Sequence, residues 1–426
     1  MNKISLTCKI ITPLFMGGAE QQPELRTQSF NGLFRHWFRL LGGSIEDEKR
    51  LFGWGGEKAR KGLVKVNLKK SGEIKSKEFE KIFDDKGFVA RGRGINYLGF
   101  SLDPRFKKDK KANLRKYILE LEGQNFGIEF LFYPNILEED IKKFLCAVWC
   151  AFYLGNFGSR SRRGFGSIVV EEIEGDIPKE EMEGDIPKEF DLKFKPDGNE
   201  DISKWLKNQL DFIKNLKYWK ARDDIPYIFE NLEIYEVQKA NLGNSEKWLK
   251  FVQQGKEGRF LVNKWALNSI NKQEDLLDFM GFLLMAFRSY YQPDYNIAKQ
   301  IIQNLGGSQR SQLVKRSQLI KRVIFGLPLN FYFSSLKRGG MVEAKLGNQT
   351  LRRASPLIFK IIQFGKNNFV GFILVFKPTS NHSFKFLPDE ASINLKGVGL
   401  DRPNWEILDE FINSLKNFNL ITKIHP

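Results

Sequence analysis

Apolar and polar residues alternate from Ile4 to Ile11 and stop at Thr12-Pro13, which predicts a strand. The period then changes. Leu33, Phe34, Trp37, Phe38 and Leu41 recur at spacings of three and four, predicting a helix over Leu25–Leu41 that Gly42-Gly43 closes. Alternation returns over Leu63–Leu68 and again over Phe126–Tyr133, where Pro134 ends it. Glu138–Leu154 reads as a second helix and Ile168–Val170 as a last strand. This order, βαββαβ, is that of a ferredoxin-like unit, whose sheet keeps one face free for ligands. Residues from about Ser71 to Asn125 are then an insertion, carrying the loop Arg91-Gly92-Arg93-Gly94 and a basic run from Arg105 to Lys111.

The second half is less regular at its start. Trp205–Trp219 is helical with lysines on its polar side, and Leu276–Tyr291 is a strongly apolar helix. Val323–Phe333 is strand-like. Two alternating strands, Leu357–Phe364 and Phe369–Phe376, straddle the turn Gly365-Lys366-Asn367-Asn368. Trp405–Phe418 closes the pattern as an amphipathic helix. Between the halves, Glu174-Gly175-Asp176-Ile177-Pro178-Lys179-Glu180 recurs as Glu183 to Glu189. An acidic repeat with proline cannot bury a core and reads as a surface linker. The expected class is therefore α+β, two ferredoxin-like domains with insertions: 1–175, an acidic linker 176–200, and 201–426.

Composition sharpens this picture through charge. The 426 residues carry a formal net charge of +17. Glu171 to Glu200 alone contributes −8, leaving +25 on the rest, an excess that points to a polyanionic partner. Three cysteines, Cys8, Cys146 and Cys150, make no disulfide framework, and neither cysteine nor histidine completes a zinc set. Cys146 and Cys150 fit a buried helix face better. No run of 18 apolar residues occurs and Met1–Ser5 leads straight into a strand, so a soluble cytoplasmic protein without membrane contact is expected. No metal, cofactor or small-molecule substrate is implied.

The sharpest local feature is Gly155-Asn156-Phe157-Gly158-Ser159-Arg160-Ser161-Arg162-Arg163-Gly164-Phe165-Gly166-Ser167. Glycines allow close backbone approach, hydroxyls and N–H groups bind phosphate oxygens, and arginines add bidentate charge. Gly158, Ser159, Arg160, Ser161, Arg162 and Arg163 are accordingly candidates for gripping a phosphodiester backbone. Arg163-Gly164-Phe165-Gly166 matches the start of the RRM signature, but Ser167 and Val170 break it and the motif follows a helix. On the first helix, Arg35, His36 and Arg39 lie opposite the apolar stripe, with Arg35 and Arg39 one turn apart and able to reach adjacent phosphates; a solvated polar face is the plain alternative. His36 also invites a general-base role, against which a surface or stacking role stands. Arg91 and Arg93 in the insertion, Lys337 and Arg338, and Arg352 and Arg353 complete the basic candidates.

No Walker A, HD pair, GGDD, His/Cys cluster or G-x-S-x-G is present, and Asp84-Asp85 and Asp223-Asp224 lead into no metal-site pattern. What is present resembles the RAMP superfamily, most closely the first-subunit family of type III-B CRISPR Cmr complexes. The resemblance runs through Ile11-Thr12-Pro13-Leu14-Phe15-Met16-Gly17-Gly18, Leu25-Arg26, and Ser29 to Arg39 with its G-x-x-R-x-W-x-R core. It continues in the Gly158–Gly166 loop, Phe325-Gly326-Leu327-Pro328 and Arg352-Arg353-Ala354-Ser355-Pro356. Asn31 and His36 depart from the family pattern. The resemblance implies a non-catalytic RNA-binding subunit near the 3′ part of the crRNA, contacting crRNA and target RNA and assembling with other Cmr-complex RAMP subunits in antiviral defence. A metal-independent crRNA-processing endoribonuclease of the same fold is the alternative, since related folds use a His or Tyr near the glycine-rich loop.

Overall fold

Ile4, Leu6, Cys8 and Ile10 are buried while Ser5, Thr7 and Lys9 between them are half-exposed, so β1 (Lys3–Ile10) lays one face on a core. The structure, a computed structural model, describes residues 2–20, 22–56, 59–69, 75–78, 94–99, 102, 115–118, 126–175, 180–183, 186–222, 225–253, 269–288, 303, 324–326, 329–333, 336, 338–342, 344–346, 349–351, 354–377, 394–395, 398–399 and 405–425. After β1 come α1 (Thr27–Leu40), α2 (Ile45–Phe52) and β2 (Val64–Lys69). The insertion supplies β3 (Ser76–Glu78), α3 (Gly94–Leu98) and β4 (Lys116–Ile118). The first half then ends with β5 (Phe126–Phe132), α4 (Glu138–Tyr153) and β6 (Ile168–Gly175). Its sheet runs β2-β5-β1-β6, with every neighbour antiparallel.

The core of this half is built from phenylalanine. Phe34 of α1 meets Phe130 of β5 at 5.8 Å, Phe144 and Phe152 of α4 at 6.1 and 6.2 Å, and Phe157 beyond α4 at 6.3 Å. Each such ring, fully buried, stabilises by roughly 1.5–3 kcal/mol relative to exposure. Helix α4 is buried from Asp140 to Tyr153, because the sheet covers one side and the second half of the chain covers others. Its acidic first turn, Glu138, Glu139 and Asp140, suits the positive end of the helix dipole. The Arg50 guanidinium on α2 grips Asp140 with bonds of 3.0 and 2.6 Å, and Lys143 reaches back to Asp47 at 3.1 Å.

The acidic repeat, expected as a surface linker, folds back as a hairpin of β7 (Glu180–Glu183) and β8 (Ile186–Glu189). The second half follows with α5 (Ile202–Asn215), α6 (Ile228–Asn231), β9 (Leu232–Val237), α7 (Asn244–Gln253) and α8 (Gln273–Ala286). Short strands β10 (Leu329–Phe333), β11 (Arg338–Val342), β12 (Ala344–Leu346) and β13 (Gln349–Leu351) precede β14 (Leu357–Phe364) and β15 (Asn368–Phe376). Then come β16 (Asn394–Leu395), β17 (Val398–Gly399), α9 (Glu406–Asn417) and β18 (Ile421–His425). The main sheet runs β14-β15-β9-β18, again all antiparallel. Numbered along the chain, these two main sheets share the order second, third, first, fourth, whereas the third four-stranded sheet, β13-β12-β16-β17, runs second, first, third, fourth.

The hairpin at Gly365 forms as expected, from the pair Leu357 and Val375 to the pair Phe364 and Asn368. Val323–Phe333 differs from expectation: Ile324-Phe325 make a helical turn before β10 begins. The helix expected at Leu276–Tyr291 starts earlier, at Gln273, because Asp275 caps it through the Asn271 and Lys272 amides. The insertion is no free loop where it is described. Helix α3 packs on α8 so closely that a Cβ on Gly94 would lie 2.0 Å from the Asp278 carbonyl oxygen, and the Ile95 amide donates to Asp278 Oδ1 at 2.9 Å.

Candidate nucleic-acid interface

The glycine-rich loop leaves α4 at Leu154 and is tied down along its length. The Phe157 amide donates to the Gly166 carbonyl at 2.9 Å, Ser159 N to Phe15 O at 2.7 Å, and Gly166 N to Pro13 O at 2.9 Å. Thr12 Oγ1 donates to Gly164 O at 2.7 Å and accepts from Ser167 N at 2.8 Å. The glycines answer to packing. Gly166 sits at φ +76° and a Cβ there would lie 1.9 Å from the Phe157 carbonyl oxygen, while one on Gly164 would strike Leu277 at 2.5 Å. This corrects the expectation that these glycines open room for a phosphate backbone: at 164 and 166 the room is filled by the protein. Gly158, at the exposed tip, is required in the same way: at φ +79° a Cβ would lie 2.6 Å from the Phe15 carbonyl oxygen.

The loop is also the seam between the two halves. Asn156 Nδ2 donates to Phe359 O on β14 at 2.8 Å and to Ser161 O at 2.6 Å, while Ser167 Oγ donates to Asn156 Oδ1 at 2.6 Å. The Phe359 amide donates to Arg162 O at 3.3 Å. Lys360, fully buried, donates to the Gly155 carbonyl at 2.9 Å, and burial holds its ammonium well below the usual lysine range. Arg162 Nη1 donates to Ser355 O at 2.6 Å, and Arg163 Nη2 to Phe325 O at 3.1 Å. Arg162 and Arg163 were expected to point at phosphates; their guanidinium groups instead spend bonds on backbone carbonyls of the second half.

A carbonyl, unlike a carboxylate, leaves the charge in place. Burial, and then the neighbouring Arg288 charge, push the Arg163 guanidinium down from its ordinary range, and burial does the same to Arg162. Arg163 Nη1 and Arg288 Nε are buried with no hydrogen-bond partner. Arg288 itself lies 5.5 Å from the ring centroids of Tyr97 and Phe325. At the crest, Arg160 takes the left-handed conformation at φ +63°, which costs a non-glycine residue about 1 kcal/mol. Arg115 of the insertion comes in beside it and donates to Ser159 Oγ at 3.1 Å. Burial and the charge of Arg115 lower Arg160. Among the described residues, Arg115, Arg160, Arg162 and Arg163 form no ion pair with a carboxylate.

The polar face of α1 is arranged differently. Arg35 Nε donates to Glu48 Oε1 at 2.5 Å and Arg39 Nε to Glu48 Oε2 at 2.8 Å, with Arg222 Nη1 at 3.9 Å from the same carboxylate. Burial alone would raise Glu48, but hydrogen bonds from Arg39 and Arg35 outweigh it and hold the carboxyl below its ordinary range. Arg35 and Arg39, expected to reach adjacent phosphates, converge on one buried acid from α2, which offsets part of their charge. His36 is exposed between the two arrangements. The surrounding protein's desolvation, then the charges of Arg162 and Arg39, lower its imidazole to about 4.

Arg91, Arg93, Lys337, Arg352 and Arg353 lie outside the described residues, and of Arg338 only the backbone, in β11, is described. Arg115, Arg222 and Arg288 were missed in the sequence, as were the seam residues Asn156 and Lys360. Only their non-local partners reveal them. Among the described residues no group of His, Cys, Asp or Glu could hold a metal ion, and no helix is long and apolar enough to cross a membrane.

Residues 7–169 match the family model of the RAMP superfamily. The chain is 30% identical over 175 residues to the CRISPR system Cmr subunit Cmr1-2 of Pyrococcus furiosus, covering 38% of this chain and 91% of that protein. It is 21% identical over 416 residues to Cmr subunit Cmr1-1 of the same organism, covering 95% of this chain and 92% of that protein. In fold it is similar to the crystal structure of Cmr1 from Pyrococcus furiosus in its apo form, with a TM-score of 0.52, 18% identity, and coverage of 100% of this chain and 99% of that one.

Proposed function

The chain belongs to the RAMP superfamily, among the Cmr subunits of type III-B CRISPR systems, and from that premise we propose a non-catalytic RNA-binding subunit that grips RNA by its phosphates. In this reading both halves are ferredoxin-like units, divided near 1–175 and 201–426 by the acidic hairpin, and the protein works in the cytoplasm. It holds the 3′ part of the crRNA, target RNA, or both, beside other RAMP subunits of the complex. The observation that carries the reading is the set of guanidinium groups at the seam. Arg115, Arg160 and Arg162 bond to a hydroxyl or a carbonyl, or to neither, so their charge is uncancelled by any described acid. Like charges are held together at a cost that an RNA backbone would relieve. Arg162 and Arg163 then do double duty: they fix the loop's posture on the second half and add positive potential behind Arg160.

The endoribonuclease alternative draws on His36. An imidazole lowered to about 4 is neutral at physiological pH but a weak base, far from the value near 7 that general-base catalysis favours. The experiment is RNA binding by the full chain across a salt series, wild type beside an Arg115→Ala/Arg160→Ala double variant, with labelled RNA inspected for cleavage. The expected result is weaker binding by the variant, a log–log salt slope shallower by about 0.7 for each lost phosphate contact, and intact RNA. An unchanged slope would remove the clamp. Cleavage without metal that disappears in His36→Ala would install the nuclease reading instead.

A further inference from the structure

Most tryptophans of this protein are buried: Trp37, Trp149, Trp205, Trp219 and Trp248 are exposed by 8% or less. Trp54 is exposed by 44%. It does not sit on a loose segment. Trp54 N donates to Arg60 O and Arg60 N to Trp54 O, both at 2.9 Å, which closes a small hairpin on the end of α2. The hairpin's base admits no side chains: a Cβ on Gly62 would lie 2.4 Å from Leu51 O, and one on Gly53 2.9 Å from Arg60 O. Backbone packing therefore fixes the point from which the indole projects, at the expense of leaving a large apolar ring wet.

The ring's neighbours are basic. Lys49 Nζ stands 5.2 Å from its centroid while also paired to the exposed Glu46 at 3.0 Å. Arg60 faces Trp54 directly in the bridge, so its exposed side chain projects from the same side of the two-strand ladder. Lys61 follows, with Nζ 5.0 Å from the Tyr133 ring centroid. Lys65 is exposed further along β2, an edge strand of its sheet. Residues 57–70 hold six basic residues against one acidic residue. A protein-docking surface would set apolar side chains beside the indole; here its neighbours are Lys49, Arg60 and the flanking glycines 53, 55 and 56. Flat aromatic faces interleaved with cations are what single-stranded nucleic acid binders use, the ring taking a base and the cations its phosphates.

We infer that Trp54 is a stacking site for one unpaired base of single-stranded RNA, with Arg60 on a flanking phosphate. This site rests on the RNA-binding reading but not on the seam arginines, so the two can fail separately. The test titrates full-length wild type, Trp54→Ala and Trp54→Phe with an unstructured single-stranded RNA and, in parallel, with inorganic polyphosphate, which has charge but no bases. Trp54→Ala is expected to weaken RNA binding roughly tenfold or more, leave polyphosphate binding and the RNA salt slope unchanged, and be largely rescued by Trp54→Phe. RNA carrying a photoactivatable uridine analogue should cross-link at Trp54. If wild type binds RNA and Trp54→Ala binds it equally well, stacking is overturned while the clamp stands. An equal loss for RNA and polyphosphate also overturns it, since the ring would then act through charge or folding. Intact RNA affinity with lost association to other Cmr subunits would make Trp54 a protein contact. If wild type binds no RNA, both readings fall.

Discussion

Two sets of arginines lie within reach of His36, and they are held by opposite means. Arg162 and Arg163 in the glycine-rich loop donate to main-chain carbonyls of Ser355 and Phe325. Arg35 and Arg39 on α1 donate to the carboxylate of Glu48. A carbonyl fixes a guanidinium in space without cancelling its charge, whereas a shared carboxylate neutralises part of what it fixes. The loop is thus a rigid site of full positive charge, built at the seam where both halves contribute. The α1 face is a partly compensated cluster whose third arginine, Arg222, comes from the second half. Identical residue types therefore carry different electrostatic weight. Their partners decide which set can attract an RNA phosphate at distance.

The comparison breaks first if the loop is less rigid than its packing implies. Gly166→Ala must place a methyl 1.9 Å from Phe157 O in a left-handed conformation, and the expected cost is about 3 kcal/mol or more of unfolding free energy, read from the urea midpoint. A change within about 0.5 kcal/mol would mean that the loop yields. The other set is tested by Glu48→Gln, which leaves Arg35, Arg39 and Arg222 around a neutral amide. Breaking a buried pair costs about 3–5 kcal/mol, but these arginines retain solvent contact (27%, 39% and 16% exposed side chains), so about 2 kcal/mol is expected. If that variant is as stable as wild type, Glu48 is not what holds the α1 face, and the contrast between the two sets is lost.

How much of this could be read beforehand follows from the range of each interaction. β1, α1, β5, α4 and the β14–β15 hairpin announce themselves because long apolar periods are local signals. Helix α2 was missed although Ser44 caps it by accepting from Asp47 N at 3.0 Å; eight residues give too short a period. β9 and β18 were missed for the same reason, each being five or six residues with charged side chains outward. The loop was visible as an unusual concentration of Gly, Ser and Arg, but its partners were not. Arg162 bonds a carbonyl 193 residues away, and Arg115 reaches Ser159 from an insertion 44 residues upstream. Chemistry that depends on which oxygen a guanidinium meets belongs to the tertiary fold.

The smallest expected effect is the most discriminating, because His36 lies between the two sets and senses both. Its imidazole is lowered from the ordinary 6.5 to about 4, by desolvation first, then Arg162, then Arg39. Between those values the unfolded chain binds a proton that the folded protein refuses. His36 therefore subtracts stability as pH falls from about 6.5 toward about 4, and contributes no such slope above 6.5. His36→Gln should flatten that part of the stability curve, because it removes the group that titrates there. Site-resolved NMR of the His36 ring should show a midpoint near 4 in wild type. Removing a cation should raise it, and more in Arg162→Ala, whose charge is uncancelled, than in Arg39→Ala, whose charge Glu48 already offsets. The reverse order would mean that the carboxylate does not compensate the α1 face, and that the seam's charge is screened before it reaches the surface where RNA would meet it.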